Sequence, residues 1–431
     1  MTAPEVDITD LTHDGRGVAR VDGKAVFVSG ALPGERVRIV IRRRHRNFDE
    51  AAVEALLTRS PDRVEPRCPH FGTCGGCVLQ HLAPGAQIAA KQRVLAENLE
   101  RIGGLQPRRW LAPLADAPWG YRRKARLSVK HVAKKGRVLV GFREEDPRYV
   151  ADLGRCEILH PALGPKLAEL GAMVGTLEAA RAIPQIEVAA GDETLALVFR
   201  HLQPLGERDR AALAAFGQAH GFAVLLQPGG IDSVHPLWPE RVALSYRIPD
   251  FDVELAFEPL DFVQVNAGMN LRMIALAMQL LDPQPGERVL DLFCGLGNFT
   301  LPIARRVAEV TGVEGDAGLV RRASANAARN GIANAAFHAA NLFEDQRGAA
   351  WARQPWDKLL LDPPRAGADK VLDYLPGAAT RRVVYVSCHP GSLARDAAIL
   401  AARGFRLEAA GVMDMFPHTA HVESIALFER A

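Results

Sequence analysis

From Pro285 onward, short apolar runs alternate with helical stretches, and this rhythm limits the fold more than any other feature of the 431-residue chain. Residues 288–293, 307–314, 335–341, 358–362 and 382–387 read as five successive strands with helices between them. Strand–helix–strand units build a parallel sheet covered on both faces, so the C-terminal part is expected to be an α/β, Rossmann-like, doubly wound sheet. Ligands of such sheets bind in the crevice at the carboxyl ends of the strands.

The residues expected at those ends are chemically unusual. Cys388 follows the fifth strand, and Asp362-Pro363-Pro364-Arg365 ends the fourth. A thiol and a carboxylate on neighbouring strand ends face one crevice. A thiolate is both a strong nucleophile and a good leaving group, which suits an enzyme that adds to its substrate and later departs. The competing reading is a buried cysteine acting as a small hydrophobe. The turn after the first strand, Cys294-Gly295-Leu296-Gly297-Asn298-Phe299-Thr300, lacks the third glycine of a dinucleotide fingerprint. Glu314 lies 19 residues beyond Gly295, suited to accept from ribose hydroxyls, and Asn341 ends the third strand where it could read an adenine edge. Adenosine without phosphates suggests S-adenosylmethionine. Alternatively, Glu314 is a solvated strand-end acid and Asn341 a turn residue.

Three of the six cysteines crowd together in Cys68-Pro69-His70-Phe71-Gly72-Thr73-Cys74-Gly75-Gly76-Cys77, and Cys156 follows much later. Four thiolates can hold a [4Fe–4S] cluster or a structural zinc. Zinc sites usually come as two close pairs, so three plus one favours the cluster, with zinc and no metal as alternatives. The group could do redox work or simply tie residue 156 to the 68–77 loop. His70 and His81 read as ordinary loop residues, although a zinc site would recruit one.

The first 60 residues look like a small N-terminal β-barrel: short β-branched runs at 6–8, 17–21, 25–28 and 36–41, separated by Asp14-Gly15, Asp22-Gly23 and Pro33-Gly34. Val37, Ile39 and Ile41 fall on one face of the last run, which continues into Arg42-Arg43-Arg44-His45-Arg46. Such barrels often bind single-stranded nucleic acid, and the other reading is an edge strand blunted by charge. Residues 86–102 read as a helix stopped by Gly103-Gly104, with Ile88, Val94, Leu95, Leu99 and Ile102 as its apolar positions. Net charge is only +3, but residues 117–143 carry nine Lys/Arg and no Asp or Glu, interleaved with Trp119 and Tyr121. Cations among aromatics suit phosphates and unstacked bases, so Lys124 and Arg126 are expected to bind RNA. The N-terminus has neither a basic n-region nor an apolar core, and no apolar run approaches a membrane span. A cytoplasmic protein is expected.

Together, Asp291–Thr300, Asp362-Pro363-Pro364-Arg365 and Ser387-Cys388 resemble the uracil-C5 RNA methyltransferases. The four-cysteine pattern resembles the iron–sulfur members acting on 23S ribosomal RNA, and the barrel looks like a TRAM domain. The resemblance implies a class I methyltransferase sheet over 251–431, an OB-like TRAM barrel over 1–60 and an α+β iron–sulfur middle domain over 61–250, in which helix 86–102 could pack on the catalytic domain. It implies S-adenosylmethionine-dependent formation of 5-methyluridine by a monomer, with no membrane partner. Cys388 matches the nucleophile that attacks uracil carbon 6, and Glu423 the general base that removes the carbon 5 proton. Gln264, Phe293, Asn298, Glu314, Asn341 and Asp362 match cofactor contacts, and Cys68, Cys74, Cys77 and Cys156 match the [4Fe–4S] ligands.

Other activities stay in view. An m5C methyltransferase would carry a cysteine within the fourth-strand motif, which has none here. An amino-group methyltransferase would prefer an aromatic where Arg365 stands and has no use for Cys388. Transfer RNA as substrate, or a non-catalytic iron–sulfur RNA-binding protein, are the remaining alternatives.

Overall fold

A computed structural model describes residues 3–430. The N-terminal unit is a six-stranded sheet in the order Glu5–Asp7, Arg36–Arg44, Phe48–Thr58, Lys24–Ser29, Gly17–Val21, Asp10–Leu11. Alternation sends Val37 and Ile39 inward, where they are fully buried with Val26, Val28 and Ala19. The strand Phe48–Thr58 was not anticipated, because Asp49, Glu50, Glu54 and its alanines have low strand preference. Pairing with Arg36–Arg44 on one side and Lys24–Ser29 on the other creates it. Lys24 Nζ holds Asp49 at 2.6 Å.

The middle unit is a six-stranded sheet in the order His235–Trp238, Phe222–Gln227, Leu195–Arg200, Gln185–Ala190, Lys124–Val132, Arg137–Gly141. Helices Leu167–Gly175 and Glu207–His220 help cover its apolar core. The hairpin of Leu244–Ile248 with Val253–Phe257 straddles residue 250. Its apolar residues share one core with Met269, Met273 and Ile274 of the helix Ala267–Leu281 and with the C-terminal sheet.

The C-terminal sheet has eight strands in the order Ala335–Ala339, Glu309–Glu314, Arg288–Leu292, Lys358–Leu361, Arg382–Ser387, Glu423–Arg430, Phe405–Met413, Arg109–Trp110. The first five are parallel and match the strands expected from sequence to within two residues at each end. Glu423–Arg430 then runs antiparallel to Arg382–Ser387. Strand order reverses beside Arg288–Leu292, the switch point where an open crevice forms.

The helix Pro84–Arg101 packs on Pro390–Ala402 of the C-terminal unit. Its inward stripe is Gln87, Lys91, Leu95 and Leu99, one residue per turn. Ile102, expected on the apolar side, is 54% exposed. No helix among the described residues is long and apolar enough to cross a membrane.

The basic segment corrects one expectation. Lys124 is partly buried, and its Nζ donates to Pro259 O at 2.5 Å. Burial pushes its pKa down to about 8. Arg126 is held by Glu187 at 2.5 Å, and buried Arg123 lies over the Tyr246 ring. Tyr121 is buried and donates to Pro417 O at 3.2 Å, while Trp119 stacks on His418 with ring centroids 3.9 Å apart. Residues 119–124 therefore help join the middle unit to the C-terminal one. Lys130, Lys134, Lys135 and Arg137 remain exposed.

Candidate active site

Register brings the reactive groups together. Leu361 pairs with Tyr385 on the parallel neighbour, so Asp362 leaves its strand one residue further, beside the end of Arg382–Ser387. On the other side Ser387 pairs with Ser424, and the same antiparallel register continued by one residue sets Cys388 across from Glu423. Directly opposed residues have Cβ atoms roughly 4.5–5.5 Å apart.

Their charges are mutually coupled. Burial, then the carboxylates of Glu423 and Asp362, push the Cys388 thiol up to about 11, and Arg365 opposes this. Burial and the Asp362 charge raise Glu423 to about 8, against Arg365 and Lys91. Burial alone lifts Asp362 to about 7. Three acidic groups in one poorly solvated crevice cannot all ionise readily, so each holds its proton more tightly than in water. Arg365 Nη2 lies 2.9 Å from His421 Nδ1, which anchors the Asp-Pro-Pro-Arg turn to the loop before Glu423.

Sequence reasoning missed the support behind Glu423. Buried Lys91 donates to Asp414 Oδ1 at 2.6 Å and to Phe416 O at 3.0 Å, fixing the loop between the last two strands. The available signal was the polar pair Gln87 and Lys91 at i, i+4 on the stripe that continues through Leu95 and Leu99.

The crevice continues over the glycine-rich turn. Phe293 has φ +64°, a conformation costly for a side-chain residue and concentrated at functional sites. Gly295 has φ +53° and nothing within 4 Å of where a Cβ would stand, so the turn opens onto free space. Both Glu314 oxygens accept backbone N–H groups, from Gly295 at 3.2 Å and Asp316 at 3.0 Å, leaving lone pairs for a ligand's hydroxyls. The Phe293 and Phe343 rings lie 5.9 Å apart as apolar walls, and Phe343 was not anticipated. Buried Asp291 accepts from Thr300 Oγ1 at 2.5 Å, its other oxygen has no partner, and burial raises it to about 8. An open turn, apolar walls and a ribose-reading acid fit an adenosine carrying no phosphates.

Three of the residues matched to cofactor contacts are placed differently from one another. Asn298 exchanges hydrogen bonds with Asn270 and accepts from Tyr246 Oη at 2.9 Å, so its amide is committed inward. Asn341 is exposed and bonded to Glu344 and to the Phe343 N–H, as a turn residue would be. Gln264 is partly buried on the segment before the helix Ala267–Leu281. Cys294 is buried and packs at the base of the turn.

Cys68, Cys74, Cys77 and Cys156 line one small cavity of about 20 Å³, and all four are free. Among the described residues no group of three or more His, Cys, Asp or Glu is arranged to hold a metal. The donor set nevertheless suits one. Burial, together with the neighbouring thiols, raises Cys77 to about 12 and Cys156 to about 11, so a bound cation would be needed to draw thiolates here. Gly76 N–H points at Cys74 Sγ, 3.4 Å away, as donors do toward charged sulfur. His70 lines the cavity, but its Nε2 accepts from Gly154 N–H at 3.1 Å, and His81 does not line it.

Comparison with known proteins decides the family. A protein of Xanthomonas oryzae pv. oryzae named 23S rRNA (uracil(1939)-C(5))-methyltransferase RlmD is 63% identical over 427 residues, covering 98% of this chain and 96% of the relative. This chain belongs to the RNA uracil-C5 methyltransferase family, in its RlmD branch. A Stenotrophomonas maltophilia RlmD is 61% identical over 430 residues, 99% of this chain and 97% of that relative. Residues 240–431 match the tRNA (Uracil-5-)-methyltransferase family model, and residues 4–53 match the TRAM domain. The barrel of this RlmD-branch chain is thus a TRAM domain. The fold is shared with the Pyrococcus abyssi tRNA (uracil-54, C5)-methyltransferase solved with S-adenosyl-L-homocysteine, at a TM-score of 0.75 and 23% identity, covering 99% of this chain and all of that one.

Proposed function

We propose that this protein transfers the methyl group of S-adenosylmethionine to carbon 5 of a uridine in 23S ribosomal RNA, the position numbered 1939 in its relatives' names. The observation that carries the reading is the register that sets Cys388 against Glu423 with Asp362 alongside. Relatives over 60% identical along nearly the whole chain favour ribosomal over transfer RNA.

Carbon 5 of uracil is a poor nucleophile. Cys388 adds as thiolate to carbon 6, and the ring electrons shift so that carbon 5 becomes enolate-like. S-adenosylmethionine, when bound, supplies an electrophilic methyl on positively charged sulfur, a charge that also favours the thiolate of Cys388. Glu423 then accepts the proton of carbon 5, the electron pair of that C–H bond restores the ring double bond, and the carbon–sulfur bond breaks to return the thiolate. Glu423's raised pKa matches this role, because a base near the working pH both ionises and binds a proton well. Gln264, Phe293, Asn298, Glu314, Asn341 and Asp362 would hold the cofactor. Asn298 would act through its backbone or the turn it fixes, since its amide is occupied.

Cys68, Cys74, Cys77 and Cys156 would hold a [4Fe–4S] cluster whose service is to tie residue 156 to the 68–77 loop. The target atom is out of reach inside a base stack, so the uridine must turn outward. The TRAM barrel (1–60) and the middle domain (61–250) would carry the flanking RNA, and the domain 251–431 the chemistry, in a cytoplasmic monomer. The test is mass mapping of 23S ribosomal RNA fragments after incubation with protein and S-adenosylmethionine, with release of tritium from [5-³H]uridine. Methylation of transfer RNA alone would replace the ribosomal reading, and retained activity in Cys388→Ala would end the covalent one. Iron and sulfide content of fresh protein tests the cluster.

A further inference from the structure

The residue after Cys388 and the residue before Glu423 share a second cavity. His389 and Val422 line a cleft of about 490 Å³ between the TRAM barrel and the helix Pro84–Arg101, with Thr12 and His13 on one wall and Asn98 on the other. Successive side chains at a strand end diverge, so Cys388 and His389 look into different spaces one residue apart. The cleft thus begins one residue from the nucleophile.

Its volume lies in the range of small-molecule sites and suits a base with its sugar. Its charges are already spent. Arg93 is paired with Asp10 at 3.4 Å, and Lys91 with Asp414 at 2.6 Å. A lining without a free cation is a poor phosphate site. What remains unpaired is neutral. His389 caps the helix Pro390–Ala402, its Nδ1 accepting from Ser392 N–H at 3.1 Å. The proton of the neutral ring therefore sits on Nε2, on an exposed side chain. Burial and the nearby Arg365, His13 and Arg395 keep the ring neutral by lowering its pKa. Asn98 Nδ2 donates to Val94 O at 2.8 Å, leaving Oδ1 as an acceptor. Glu97, also in the lining, is paired with Arg101 at 3.6 Å, so His389 and Asn98 bring one donor and one acceptor to a cleft whose charges are paired, which matches the polar edge of a nucleobase.

We propose that this cleft receives the base of a nucleotide flanking the target uridine, and that His389 reads that base through its Nε2–H. The proposal rests on the RNA methyltransferase reading above. It assigns His389 to the substrate and not to methyl transfer.

The test uses the full protein and a 23S ribosomal RNA fragment in which each nucleotide near the target is made abasic in turn. His389→Asn keeps a helix-capping oxygen but loses the imidazole donor. On intact RNA it should raise KM about 10-fold, the weight of one good hydrogen bond, with kcat at saturation near the parent's. One flanking abasic site should cost the parent a similar factor and cost His389→Asn nothing further. Asn98→Leu, which leaves the helix cap untouched, should show the same coupling to the same nucleotide. Penalties that multiply at every flanking position, or parent-like kcat/KM in both variants, would overturn the proposal. A parent enzyme inactive on intact RNA would instead sink the function reading beneath it. Unchanged affinity for S-adenosylhomocysteine separates both outcomes from damage to the cofactor crevice.

Discussion

Gln87 and His418 hold each other at both ends of the glutamine amide. Gln87 Oε1 accepts from His418 N–H at 2.9 Å, and Gln87 Nε2 lies 3.3 Å from His418 Nδ1. The same Nε2 donates to Leu79 O at 3.0 Å and Leu82 O at 2.7 Å. His418 O accepts from both Val78 and Leu79 N–H, at 2.9 and 3.0 Å. The chain leaving Cys77 is thus fastened directly to the loop that leads into Glu423. His418 has φ +66°, a conformation that persists only because this cage holds it.

Gln87→Leu should therefore loosen the base. It strands several buried donors and acceptors at about 1–3 kcal/mol each. The expected result is a melting temperature lower by several degrees and a reduced kcat, with S-adenosylhomocysteine affinity unchanged by calorimetry. Parent-like kcat would show that the loop needs no such fastening.

Lys91 makes a sharper case, since removing one partner of a buried ion pair costs about 3–5 kcal/mol. Lys91→Met should be strongly destabilised. Adding Asp414→Leu should recover much of the loss, because the uncompensated carboxylate is gone. Urea unfolding of the parent, single and double variants reads this, and a double variant no better than the single would reject the account.

The Glu423 carboxylate helps raise the pKa of Cys388, so the thiol's titration depends on the charge at 423. Methylation at limiting RNA should increase with pH through about 8 as Glu423 ionises. In Glu423→Gln the negative charge facing the thiol is lost. The midpoint for iodoacetamide modification of Cys388, followed by peptide mass, should move to lower pH than the parent's. An unmoved midpoint would mean that the two side chains are not electrostatic neighbours.

Asp291 is raised to about 8 in the folded protein. Its folded form binds a proton that the unfolded form releases, so its contribution to stability is complete below about pH 4 and is lost as pH rises through about 8. Asp291→Asn cannot ionise and should escape that loss. The melting temperature of the variant relative to the parent should therefore improve between pH 5.5 and pH 8 (values of roughly that spacing), by an amount traceable to about 1.4 kcal/mol per pH unit at most. A constant difference would place the proton elsewhere.

Lys124→Glu should unfold or destabilise the protein before it tests RNA binding, since that ammonium is turned onto Pro259 O. Lys130→Glu with Lys134→Glu, both exposed, should leave the melting temperature within a degree or two and weaken RNA binding in a filter titration. Equal RNA affinity would move the RNA path away from this hairpin.

The sequence alone determined the parallel sheet, because five apolar runs separated by helices have few other ways to bury themselves. It also marked Cys388, Asp362 and Glu314 as strand-end groups, and the local turn chemistry that exposes them. The same reading misplaced Lys124, whose ammonium is turned onto Pro259 O. A run of cations looks alike whether it meets phosphate or, as Lys124 does, a backbone carbonyl 135 residues away. Cross-strand register, which sets Cys388 against Glu423, and the cage of Gln87, Lys91 and His418 belong to tertiary structure. These contacts join residues more than 300 positions apart in the case of the cage. Local pattern carries periodicity, capping and turns, which act over a few residues. Which distant partner satisfies a buried amide or ammonium is decided only when the whole chain closes around it.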